Sequence, residues 1–100
     1  MNTTEKKLQA PLVHMNGTGE DTLLEDISNA YAAISDAMDA LRKAAPDGRD
    51  YYPLETGSLK RAEDEHLARS LTLLNVKNEL EALALAIQDG ETEAVAEVQS

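Results

Sequence analysis

The sequence predicts an all-α fold: an antiparallel two-helix hairpin, suited to dimerising into a four-helix bundle, with flexible termini. Three observations predict it. Ser58 to Asp89 contains no proline or glycine and is dominated by Leu, Ala, Glu, Lys and Arg, all strong helix formers. The stretch from about Glu20 to Ala45 carries one unbroken stripe at helical spacing: Leu24, Ile27, Tyr31, Ile34, Met38 and Leu41. Between them lies PDGRDYYPLETG, a run of turn formers.

Met1 to Ala10 is polar and has no period, which predicts disorder through about residue 11. Pro11 to Met15 (PLVHM) is a short apolar patch able to lie extended against the helices, and Asn16-Gly17 and Gly19 then break the chain. Thr18-x-x-Asp21 and Thr22-x-x-Glu25 resemble nested capping boxes for the first helix. Arg42 and Lys43 suit its negative end, and Pro46 stops it. The loop covers 46–57 and the second helix 58–89, with Gly90 as its C-terminal cap. The acidic tail, 91–100, is expected to fray.

The second helix differs from the first in having two apolar sides. Leu73, Val76, Leu80, Leu83 and Ile87 form one; Leu67, Leu71, Leu74 and Leu85 form another, centred roughly 160° away. A helix with two stripes needs two neighbours. The first helix serves one, leaving the leucine side either to residues 12–15 or to a second chain. Four leucines exceed what so short a segment covers, so self-association through Leu67, Leu71, Leu74 and Leu85 is the favoured expectation.

One hundred residues make one domain. Nineteen Asp and Glu against nine Lys and Arg give a net charge of -10, which opposes direct nucleic-acid binding and favours basic partners. The chain has no cysteine, hence no thiolate chemistry. No apolar run is long enough to span a membrane, and the start is too polar for a signal-peptide core. A cytoplasmic location is expected.

Catalytic patterns are sparse. Glu63 and His66 have the E-x-x-H spacing of carboxylate-bridged di-metal bundles, but the inward positions of the first helix offer no carboxylate to complete a site. Asp47-Gly48-Arg49-Asp50 is too short for an EF-hand. A two-helix body has little concave volume, so neither enzyme activity nor a cofactor or metal is expected. The surface is more informative. Glu25, Asp36 and Asp39 face away from the first apolar stripe, and Asp47, Asp50 and Glu55 lie in the loop beside Tyr51 and Tyr52. Together these form a candidate acidic ridge with aromatic knobs, tyrosine being favoured at binding hot spots.

The stretch LVHMNGTGEDTLLEDISNAYAAI, the loop APDGRDYYP (Ala45 to Pro53) and the end NELEALALAIQDG together resemble a family of small acidic proteins of phages and mobile elements, type I-F anti-CRISPR inhibitors. The resemblance covers roughly Leu12 to Gly90. It implies a non-catalytic inhibitor that binds the crRNA-guided surveillance complex on a basic DNA-binding surface and blocks target DNA recognition. The alternative is a phage helical adaptor or assembly protein acting through protein–protein contacts.

Overall fold

The computed structural model describes residues 3–99. In chain order it contains strand β1 (Thr3–Gln9), helix α1 (Glu20–Lys43), a 3-10 turn (Gly48–Asp50), helix α2 (Ser58–Asp89) and strand β2 (Glu93–Gln99). The all-α expectation is therefore overturned. The two ends of the chain pair with each other as an antiparallel two-stranded sheet, and the fold is α+β. The expected disorder through residue 11 and the expected frayed tail are corrected in the same way, except at Met1, Asn2 and Ser100, which lie outside the described residues.

The helices form where long periodic segments favour them. α1 packs antiparallel on α2, with Leu24, Ile27 and Tyr31 facing Leu80, Ala84 and Gln88 across an open groove. Farther along the seam the Lys77 ammonium lies 4.8 Å from the centre of the Tyr31 ring, a cation–π contact. Neither predicted capping box forms: the α1 N-cap is Gly19, with no side-chain cap. Gly90 does cap α2, at φ 70°, a backbone state that favours glycine. The Glu91 N–H then reaches back to the Ala86 carbonyl at 2.9 Å, the long bond of a Schellman motif. This turn reverses the chain and sends β2 back along α2.

The second neighbour of α2 is thus the terminal hairpin. α2 is the middle layer, with α1 on one side and the sheet on the other. Strand register runs from Thr3 opposite Gln99 to Gln9 opposite Glu93. Alternate residues turn inward, so Ala94 and Ala96 are buried against Ala82 and Ala86, with Ala10, Leu8 and Leu83 completing the cluster. Small side chains let the strands approach the helix closely. The sheet covers only the C-terminal half of α2.

Asparagines fasten the far end of β2. Asn75 donates to the Gln99 carbonyl and accepts from the Gln99 N–H, both at 2.7 Å, while Asn78 donates to the Glu97 carbonyl at 2.9 Å. Asn75 thereby occupies the place of a neighbouring strand. Asn75→Ala should cost about 1–3 kcal/mol, since it leaves a partly buried amide unpaired. Amide exchange should show the Gln99 N–H losing protection while the α2 amides keep theirs.

The body is long and thin, 62 × 25 × 15 Å, with a radius of gyration of 18.0 Å. A compact domain of this length has about 13 Å. α1 contributes no buried residue to the core, although its stripe is half-buried against α2.

Candidate functional site

The loop end of the hairpin carries the expected acidic ridge, and two of its five carboxylates are paired with nearby arginines. Asp39 forms an ion pair with Arg42. Asp47 caps the 3-10 turn, accepting from the Arg49 N–H at 3.1 Å, and its carboxylate also meets the Arg49 side chain at 3.2 Å. Asp36, Asp50 and Glu55 are exposed. Lys43 and Arg61 add further positive charge to this end. So does Lys60, whose hydrogen bond to Asp64 at 2.7 Å raises its pKa above the ordinary lysine value. Of the two loop tyrosines, Tyr51 is half-buried and Tyr52 is 82% exposed. Both line a shallow recess with Leu54 and Leu59. This end presents an aromatic knob in a field of mixed charge.

The opposite end is more strongly acidic. Antiparallel packing brings the start of α1, with Glu20, Asp21, Glu25 and Asp26, beside the end of α2, with Glu81 and Asp89. The terminal hairpin adds Glu91, Glu93, Glu97 and Glu5. The cations here are Lys6, held 3.3 Å from Glu79, Lys7, 4.0 Å from Glu93, and Lys77, directed onto Tyr31. The remaining carboxylates have no ion-pair partner among the described residues. These acids come from three separated stretches of sequence and form one surface only because the ends of the chain return to the same place.

The leucine side is only partly covered. Leu67 and Leu85 are 48% and 53% exposed, and Leu71 and Leu74 are half-buried. The sheet docks beside them, on the alanines. Residues 12–15 do not cover them either: Leu12 is 61% exposed and Met15 98%. The other predicted side of α2 is split as well. Leu80 faces α1, Leu83 joins the alanine cluster, and Val76 is partly exposed.

The groove between Leu24, Ile27, Tyr31, Leu80 and Ala84 has a volume of about 520 Å³ and opens widely to solvent. Its polar groups, Ser28, Tyr31, Glu81 and Gln88, form no nucleophile–base pair. Glu63 and His66 belong to no group of three or more potential metal ligands among the described residues. No helix among those residues is long and apolar enough to cross a membrane. Comparison with family models, with characterised proteins and with solved structures gave no match, so the phage and anti-CRISPR attributes implied by the resemblance find no support among relatives.

Proposed function

We propose that this chain is a non-catalytic binding protein that engages a basic macromolecular surface through its acidic end. The observation that carries this reading is the gathering of carboxylates from α1, α2 and the terminal hairpin at one end of an elongated body, most of them without an ion-pair partner among the described residues. Such a surface steers a basic partner by long-range attraction and repels nucleic acid. The surveillance complex named by the resemblance is one partner of this chemistry, and it places the protein's work in the cytoplasm. The exposed Leu67 and Leu85 favour a second reading, in which the chain is an adaptor held by apolar contacts.

Charge reversal separates the two ends. Glu20→Lys, Asp21→Lys and Glu25→Lys together should weaken binding to the purified surveillance complex about tenfold or more, chiefly by slowing association. Asp36→Lys, Asp39→Lys and Asp50→Lys at the loop end should have a smaller effect. Binding of the unaltered chain should also fall as salt rises. Absence of binding to that complex removes this partner. Binding that ignores both salt and the first triple reversal contradicts the acidic-end reading and favours the adaptor.

A further inference from the structure

The two edges of the terminal sheet are not equivalent. Hydrogen bonding in an antiparallel pair alternates, so every second residue turns its backbone groups away from its partner strand. The Ala10 N–H bonds the Thr92 carbonyl at 2.8 Å, which fixes the phase. Thr4, Lys6 and Leu8 therefore pair with Val98, Ala96 and Ala94. Glu97 and Gln99 point to the outer edge of β2, where Asn78 and Asn75 occupy them. Glu5 and Lys7 point to the outer edge of β1, where their N–H and C=O groups meet no partner among the described residues. One edge is fastened at its end and the other is open, and an open strand edge is a template for another strand.

Charge selects the occupant. Register puts Glu5 directly opposite Glu97, a like-charge pair that disfavours the hairpin as it stands. The sequence TTEKKLQ is self-complementary when run against itself antiparallel about Lys6. Glu5 of each copy then faces Lys7 of the other, Thr3 faces Gln9, and Thr4 faces Leu8. Both Glu5 and Lys7 are exposed; Glu5 has no ion-pair partner among the described residues, and the contact of Lys7 with Glu93, at 4.0 Å between exposed side chains, is weak enough to exchange for Glu5 of the other copy. Lys6 falls on the two-fold axis, already neutralised by Glu79 of its own α2 at 3.3 Å.

The elongated chain exposes 7131 Å², against about 5,500 Å² for a compact monomer of this mass. We propose that β1 pairs antiparallel with β1 of a second copy of this chain, joining two hairpins into one four-stranded sheet with reciprocal Glu5–Lys7 ion pairs.

Sedimentation equilibrium of the full chain tests this, with circular dichroism as the check on folding. The unaltered protein should sediment at twice the chain mass. Glu5→Pro deletes an N–H that the monomer leaves unpaired, so it should give a monomer with unchanged helix content. Lys7→Glu should raise the dimer dissociation constant about tenfold or more, and the exchange Glu5→Lys with Lys7→Glu should restore dimerisation. An unaltered chain that sediments as a monomer overturns the proposal. A dimer indifferent to Lys7→Glu and Glu5→Pro overturns it too, and moves the interface to the Leu67–Leu85 flank.

Discussion

Ile87→Ala should lower the unfolding free energy by about 2–5 kcal/mol, the range for removing a large aliphatic side chain from a closed site. Ile87 is 1% exposed and is the largest fully buried side chain among the described residues. Most other apolar side chains of this protein are only half-buried, so few share the work of holding the layers together. A thin domain has little stability in reserve, and this loss is a large fraction of a typical total. Urea denaturation followed by circular dichroism measures it directly. A loss below about 1 kcal/mol would mean that the site collapses around the smaller side chain and is not the anchor that its burial implies.

Ala86→Glu should detach the terminal sheet. Ala86 is 4% exposed and sits in the cluster that joins Ala82 to Ala10, Ala94 and Ala96. A carboxylate there has neither room nor a cation, and the pairs that Lys6 and Lys7 already make are with Glu79 and Glu93. Burying an unpaired charge costs several kcal/mol, more than two short strands on one helix face can offset. The expected result is a protein that keeps its helices and loses its strands. Circular dichroism should show near-native helix content, while the inward amides of β1 and β2 lose their protection from exchange. Full retention of strand protection would contradict the packing described for this face.

The helices were legible in the sequence because a 3.6-residue period sustained over several turns is hard to mistake. The strands were not. In β1 the inward residues are Thr4, Lys6 and Leu8, so only one apolar residue marks the buried side, and the charged Lys6 is accommodated by Glu79. In β2 the inward set Ala94, Ala96 and Val98 does alternate, but alanine is depleted in strands and disguises the period. The pairing itself joins the two ends of the chain, which no local pattern reports. Two apolar sides on α2 pointed to two neighbours, but the second neighbour docks on the alanines and leaves the leucine side only partly covered. The identity of the second was missed because alanines, not the conspicuous leucines, make the contact.

The same reasoning applies to the candidate site. Asp47, Asp50, Tyr51, Tyr52 and Glu55 drew attention because they are adjacent in sequence. The cations interleaved with that end, Arg42, Lys43, Arg49, Lys60 and Arg61, moderate it. The more acidic surface combines Glu5, the 20–26 segment and the 79–97 segment, and only the topology brings these together. Had the tail been frayed, as its composition suggested, neither that surface nor the open β1 edge would exist.

Amide hydrogen exchange of the unaltered chain, read residue by residue, tests the pairing of the two ends most directly. Leu8, Ala94, Ala96 and Val98 should be protected by the strand ladder and Gln99 by Asn75, while Glu93 and Val95, which face the open part of the β2 edge, exchange freely. Exchange of 3–9 and 93–99 throughout at the rates of an unstructured chain, with protection confined to α1 and α2, would contradict the account and return the protein to a helical hairpin with loose ends.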